Sequence, residues 1–316
     1  MKILANDGIA KSGIEALEAG GFEVITDTVA QERLVEYINE NDVAGLLVRS
    51  ATKVRKDIID SCTGLKLIGR GGVGMDNIDV DYAREKGLHV INTPGASSAS
   101  VAELVFAHLF GMVRFLFDSN RNMPLEGDTR FKELKKNYGA GIELRGKKIG
   151  IIGFGRIGRE VAKIALGQGM EVLANDSHCK TANIDLDFYD GQKVSFKINT
   201  VSIEEVYKNS DFISVHVPHQ GKALISKKEI EMMKDNVGLI NAARGGVIDE
   251  ADLLDALESG KVRFAGLDVF VNEPTPNMKV LMTHQISMSP HIGAATLEAQ
   301  DRIGTELAEQ IESLLK

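Results

Sequence analysis

Cysteine is scarce in the 316-residue chain, at Cys62 and Cys179 only. Two thiols make no disulfide framework, and neither stands in a Cys-x-x-Cys or metal-type spacing. Reduced thiols, a cytoplasmic location and no metal are expected. Basic charge is also short: 37 Lys and Arg against 45 Asp and Glu, a formal net charge of −8. That balance argues against nucleic acid or an anionic membrane as the main partner, because both demand an extended basic surface. It also means that an anionic substrate needs a local basic pocket. Long uncharged hydrophobic runs are missing. The nearest approach, "VAELVFAHLFGMVRFLF" at 101–117, carries Glu103, His108 and Arg114, each costly in hydrocarbon, so a buried helix at a domain junction or subunit interface is expected. The start, "MKILANDGIA", lacks the basic end and apolar core of a signal peptide and reads as a mature strand and turn. There is no internal repeat, no low-complexity tract and no Pro/Gly/Ser linker.

What is present is alternation. The chain is 43% apolar and long enough for roughly two domains. Up to about residue 95, "KILAND", "FEVITD", "GLLVRS", "LKLIGRGG" and "LHVINTP" alternate with amphipathic segments, the pattern of a parallel sheet with crossover helices. The apolar segment follows, with Ser100 and Glu103 in capping-box spacing. After a lysine-rich stretch at 126–146 a second series begins at "KKIGIIGFGRIG" and continues through "EVLAND", "FISVHV", "VGLINAA", "RFAGLDVF" and "QISMSP" to an amphipathic C-terminal helix. The expected fold class is α/β, with two doubly wound parallel-sheet domains.

In "GFGRIG", Gly153, Gly155 and Gly158 have the G-x-G-x-x-G spacing, directly after an apolar strand and opening a helix. The first glycine permits a tight turn, the second lets backbone approach a pyrophosphate, and the third allows close helix–strand packing. Amides around Arg156 and Ile157 would face the phosphates. The next strand ends in Asp176, near the ~20-residue offset of a ribose-binding acid. A carboxylate there accepts ribose hydroxyls and repels a 2′-phosphate, so NAD is favoured over NADP, with Lys180 as the counter-signal. The competing reading is a structural turn followed by a capping aspartate.

Ligands bind beyond the carboxyl ends of strands in open parallel sheets. Arg49, Arg70 with Gly71, Asn92 with Thr93, Arg244, Asp268 and His291 all stand at such ends. Two domains with facing strand ends would gather them into one cleft. In "NAARGGVIDE", small neighbours leave room for Arg244 to hold a carboxylate bidentately. Glu273 precedes a proline, which fixes the local backbone and would aim its carboxylate at His291; taken alone it reads as an ordinary loop acid. Such a pair would orient the imidazole, favour its charged form and exchange a proton near neutral pH.

"RSATKV", "GRGGVGMDNID", "NTPGASSASVAEL", "GFGRIGREVA", "NAARGGVIDEADLLDAL", "GLDVFVNEP" and "SPHIGAAT" together resemble the D-2-hydroxyacid dehydrogenases over nearly the whole chain. The resemblance implies hydride exchange between C2 of a 2-hydroxy acid and NAD, with Arg244, Glu273 and His291 as the catalytic set. His291 would remove and return the C2 hydroxyl proton, Glu273 would support its imidazolium, and Arg244 would bind the carboxylate and polarise the C2 oxygen. For NAD it implies Gly153, Gly155, Arg156, Ile157, Gly158, Asp176, Val217, Pro218, Ala242, Asp268 and Gly293, with Asp268 receiving the nicotinamide carboxamide. It also implies a Rossmann NAD-binding domain at 98–291 inserted in a flavodoxin-like substrate domain formed by 1–97 and 292–316, and a homodimer built on the NAD domains.

Within the family the likeness is greatest to the branch acting on 3-phospho-D-glycerate in serine biosynthesis. Glycerate, lactate, glyoxylate or hydroxypyruvate, and an NAD-sensing corepressor-like role, are the alternatives. A phosphorylated hydroxy acid carries about three negative charges and needs local cations in an acidic protein. Arg49, Arg70, Gly71 and Gly72 are the expected substrate contacts besides Arg244. Lys132, Lys135 and Lys136 would supplement them, although a solvated helix face is their expected place. Four features depart from the family pattern. The chain ends at Lys316, so no C-terminal regulatory domain is expected; the segment after Asp176 is long; "HVPHQGKALI" is short; and Val73 stands where a threonine is common.

Overall fold

Short apolar runs separated by amphipathic helices form two parallel sheets. The computed structural model describes residues 1–316, and the chain divides into two units, 1–100 with 294–316 and 101–293.

In the first unit, β1 (Lys2–Ala5), β2 (Glu23–Ile25), β3 (Val43–Val48), β4 (Leu67–Arg70) and β5 (His89–Asn92) form a sheet of order β2-β1-β3-β4-β5. Every pairing is parallel. All of β3, "VAGLLV", is buried, as a central strand covered on both faces by helices must be. The C-terminal helix Leu297–Leu315 buries Ile303, Leu307, Ala308 and Ile311 in the same core as Leu17 and Leu47. It reaches helix Lys11–Ala19 because Gly13 and Gly304 let the two backbones meet: a Cβ on Gly13 would stand 2.7 Å from Gly304 Cα.

In the second unit, β6 (Lys148–Ile152), β7 (Glu171–Asn175), β10 (Phe212–Val215), β11 (Val237–Asn241), β12 (Val262–Leu267) and β13 (Ile286–Met288) form a parallel sheet of order β13-β12-β11-β10-β6-β7. The winding reverses at β6, which opens a crevice beyond the carboxyl ends of β6 and β10. The long segment after Asp176 is an antiparallel hairpin of β8 (Thr181–Asp187) and β9 (Lys193–Asn199), separate from the main sheet. Its first strand alternates, burying Ala182 and Ile184 and exposing Thr181, Asn183 and Asp185.

The apolar segment corrects two expectations. Its helix starts at Ser98, ahead of the Ser100–Glu103 spacing, because the chain already turns at Gly95, whose carbonyl accepts the Ser98 N–H. Ser100 is therefore inside the helix, and its hydroxyl lies 2.8 Å from Thr296 Oγ1. The helix also stops at Val113 rather than running to 117. Phe115 takes φ 55°, and its ring packs edge-on against Phe264 at 5.4 Å, after which a second helix runs over Leu116–Glu126. Ala102, Val105, Leu109 and Met112 are fully buried, each large apolar side chain contributing about 1.5–3 kcal/mol. No single helix is long and apolar enough to cross a membrane.

Candidate active site

Arg244 follows β11, Glu273 follows β12 and His291 follows β13. These strands are neighbours, and at ~4.8 Å per strand their loops emerge within roughly 10 Å. Asn241, buried at the end of β11, folds the first loop: its Oδ1 accepts the Ala243 N–H at 3.0 Å and its Nδ2 donates to Arg244 O at 2.8 Å. Arg244 Nη1 donates to Ala243 O at 2.7 Å. Gly245 lies so close to the Phe270 carbonyl that a Cβ would overlap it, so the Arg244 turn rests on the loop that carries Glu273. That loop is held by two carboxylates. Glu273 Oε1 accepts the Phe270 N–H at 2.9 Å and Glu250 Oε1 accepts the Val271 N–H at 2.7 Å. Burial pushes the Glu250 carboxyl above its ordinary range. The Glu273–Pro274 peptide is cis.

Glu273 Oε2 lies 2.7 Å from His291 Nδ1. A carboxylate only accepts, so the network assigns the proton to Nδ1 and leaves the lone pair of a neutral ring on Nε2. This is the tautomer a general base requires. His291 itself has φ 55°, a left-handed conformation that costs a non-glycine residue of order 1–3 kcal/mol and persists only when its surroundings over-determine it. The surroundings do so here. Asp268, 1% exposed, accepts the Ser289 hydroxyl at 2.6 Å and the Ile292 N–H at 2.8 Å on Oδ1, and the Gly293 N–H at 2.9 Å on Oδ2. One Oδ2 lone pair is left for a further donor.

At the crevice, Gly153 takes φ 94° and is hemmed in by the residues that follow β10, a Cβ there falling 2.5 Å from His216 O. Gly158 presses on the Gly153 carbonyl with no room for a side chain, whereas nothing stands within 4 Å of a Cβ built on Gly155. Gly155 caps helix Arg156–Gly167, so the first amides of that helix, Arg156 and Ile157, have no intrahelical acceptor and open onto that clear space. Asp176 Oδ2 accepts the Phe154 N–H at 2.8 Å, and Oδ1 accepts those of His178 and Cys179 at 2.8 and 3.0 Å. Burial alone would raise this carboxyl; the three backbone donors outweigh it and hold it below the usual range. The aspartate thus braces the glycine turn and still has a lone pair on Oδ2 for a ribose hydroxyl. A cavity of about 600 Å³ opens beside it, lined by Gly153, Asp176, Tyr207, Val217, Pro218 and Lys222 among others. Backbone donors over a bare glycine, an ionised acid and an adjoining cavity fit a dinucleotide. Ala242, 9% exposed, follows Asn241 at the end of β11.

In the first unit the Arg49 N–H donates to Asp7 Oδ2 at 2.6 Å, and Asn77 Nδ2 donates to Arg49 O at 2.9 Å. A Cβ on Gly71 would stand 3.6 Å from Arg49 Cγ, and one on Gly72 would collide with the Arg70 guanidinium. The Arg49 stem thus lies against Gly71 and the Arg70 guanidinium against Gly72. Lys132, Lys135 and Lys136 are exposed on helix Phe131–Asn137, the solvated face expected of them, and Val73 is exposed. Asn241, Glu250, Ser289 and Asp7 were not singled out from sequence. Asn241 and Ser289 carry the signal that marked Arg244 and Asp268, a polar residue where an apolar strand ends.

The family described as D-isomer specific 2-hydroxyacid dehydrogenase, NAD binding domain, matches residues 106–293. The hydroxypyruvate reductase of Thermotoga maritima is 42% identical, covering 98% of this chain and 97% of that protein. The D-3-phosphoglycerate dehydrogenase of Methanocaldococcus jannaschii is 40% identical over 100% of this chain, which spans 58% of that protein's length. A solved structure, the NAD-dependent formate dehydrogenase of Staphylococcus aureus in complex with NAD, superposes with a TM-score of 0.80 at 26% identity, covering 100% of this chain and 96% of that one. The chain therefore belongs to the D-isomer-specific 2-hydroxyacid dehydrogenases, NAD-dependent oxidoreductases of small 2-hydroxy acids.

Proposed function

We propose that the protein oxidises 3-phospho-D-glycerate to 3-phosphohydroxypyruvate, a step that would feed serine synthesis. The observation that carries this reading is that the Arg49 stem and the Arg70 guanidinium both stand against the Gly71–Gly72 pair, two arginines beside one glycine turn in a protein of net charge −8. Bound NAD supplies the acceptor for the C2 hydride. The protein's own residues handle the proton and the charges. His291 Nε2 takes the C2 hydroxyl proton, and the imidazolium that forms is met at Nδ1 by Glu273. Arg244 holds the substrate carboxylate and draws on the C2 oxygen as it becomes a carbonyl. Residues 101–293 bind NAD, with Asp268 offering its remaining lone pair to the carboxamide. The exposed apolar side chains Phe110, Leu116, Met123, Leu125 and Phe131 support a homodimer built on the second unit.

A second reading, reduction of unphosphorylated hydroxypyruvate, is favoured by the 42% identity to a reductase matched along 97% of its length. Comparing kcat/KM for 3-phosphohydroxypyruvate and hydroxypyruvate with NADH decides between them. The phosphorylated acid is expected to be preferred, and Arg49→Ala to lower its kcat/KM by about 10- to 100-fold, the worth of a charge-assisted hydrogen bond. Equal kcat/KM for the two acids, with Arg49→Ala neutral, overturns the phosphate reading in favour of hydroxypyruvate.

A further inference from the structure

His108 is 5% exposed and stands at none of the strand ends described above. It projects from helix Ser98–Val113 onto β12 where Gly266 makes room; a Cβ on that glycine would lie 2.9 Å from His108 Cβ. Both of its ring nitrogens are engaged. Nδ1 is 2.8 Å from Ser287 Oγ and Nε2 is 2.9 Å from Ser289 Oγ, residues two apart and so on one face at the end of β13.

The far end of this chain of bonds dictates every proton in it. Asp268 can only accept, so the Ser289 hydroxyl donates to it at 2.6 Å and must use a lone pair toward His108. His108 therefore carries its proton on Nε2. Burial holds this imidazole below its ordinary pKa, so the ring is neutral and Nδ1 accepts from Ser287. The sequence runs Ser287 to His108 to Ser289 to Asp268. Asp268 in turn takes the N–H groups of Ile292 and Gly293, so the residues on both sides of His291 are tied to one carboxylate.

We propose that His108 is a positioning residue for the reaction: its Nε2–H commits the Ser289 hydroxyl to Asp268, and Asp268 holds the turn that presents His291 to Glu273. The inference rests on the reading of His291 as the acid/base. Without the donor on Nε2, the Ser289 hydroxyl is released to rotate, Asp268 loses an anchor upstream of His291, and the imidazole loses its fixed place. A displacement near 1 Å costs on the order of 10²-fold in rate.

Two amides separate the two ring nitrogens. His108→Gln sets an NH₂ group near the position of Nε2, whereas His108→Asn reaches only the position of Nδ1. His108→Asn is expected to lower kcat by about 10- to 100-fold, with the substrate KM held within about twofold. His108→Gln is expected to recover kcat to within about threefold of wild type. A role in packing alone would lower both variants together, in step with their Tm. Ser289→Ala reaches the same bond from its other end and serves if His108→Asn fails to fold. It is expected to lose kcat equally, and the double variant to be no slower than either single one. Nitrogen NMR of histidine-labelled protein is expected to show His108 as the Nε2–H tautomer. Wild-type kcat in Ser289→Ala, equal losses in the two amide variants, or an Nδ1–H tautomer overturns the inference even where His291→Ala is inactive. A His291→Ala variant that turns over normally overturns the acid/base reading beneath it.

Discussion

Replacing Glu273 by Gln retains the shape of the site and inverts its proton arrangement. In the wild type one carboxylate oxygen accepts the Phe270 N–H at 2.9 Å and the other faces His291 Nδ1 at 2.7 Å. In Glu273→Gln the amide oxygen is the group able to accept from Phe270, so the NH₂ is left facing His291 Nδ1. The imidazole must then accept at Nδ1 and carry its proton on Nε2, which cannot receive the substrate's proton. Two losses follow. The first is charge. A charge-assisted hydrogen bond contributes about 1.5–3 kcal/mol, but His291 and Glu273 side chains are 39% and 35% exposed, so water screens the pair and the lower figure applies, roughly tenfold in rate. The second is the tautomer. Restoring the Nδ1–H form sets donor against donor, which costs about 2–3 kcal/mol, or on the order of 10²-fold. Together these lower kcat by roughly 10³-fold. Steady-state kcat in both directions, with NADH affinity from fluorescence titration, provides the assay; NADH binding should be unchanged. In Glu273→Ala water can accept from Nδ1, so the more conservative Gln variant should be the slower of the two. A Glu273→Gln enzyme within about threefold of wild type, or one faster than Glu273→Ala, would refute the assigned proton arrangement.

The glycine turn separates stability from binding. Gly158→Ala drives a methyl into the Gly153 carbonyl, with an expected loss of about 1–3 kcal/mol, seen as a lower Tm together with weakened NADH binding. Gly155→Ala meets nothing within 4 Å; it should melt like wild type while losing NADH affinity, and unchanged affinity would mean that phosphate does not approach that space. Asp176→Ala is expected to narrow the preference for NAD over NADP in kcat/KM, and an unchanged ratio would assign ribose recognition to another group. The His216 imidazole is pushed by burial from 6.5 to about 4, so the unfolded chain takes up a proton that the folded chain refuses. Stability from this group is complete above about pH 6.5 and is lost as the pH falls towards 4, about 2 kcal/mol between pH 7 and pH 5. Urea unfolding at the two pH values measures it; His216→Gln should flatten the difference, and an unaltered difference would place the loss elsewhere.

The parallel sheets, the glycine turn before helix Arg156–Gly167 and the polar residues at the ends of β3, β4, β11, β12 and β13 were legible in the sequence. Each is written in short-range pattern: an apolar run, a glycine spacing, a polar residue where the run stops. The hairpin of β8 and β9 was missed although Ala182 and Ile184 alternate with polar neighbours, because only packing on the preceding helix shows which face is buried. The break at Phe115 was missed for a similar reason. Nothing local distinguishes that phenylalanine from Phe117, whereas its contact with Phe264 does.

Sequence by itself determined that an arginine, a glutamate and a histidine close three successive strand loops, and that a bare glycine turn precedes an acid at ribose distance. Tertiary structure decided what those groups are bonded to. That Glu273 meets Nδ1 of His291, that Asp268 clamps the His291 turn, and that His108 reaches Ser289 from a helix far back in the chain depend on β13, β12 and β11 lying side by side under that helix. Hydrogen bonding is short-ranged and directional, so partners distant in sequence are chosen by strand order and helix packing, which no local pattern encodes.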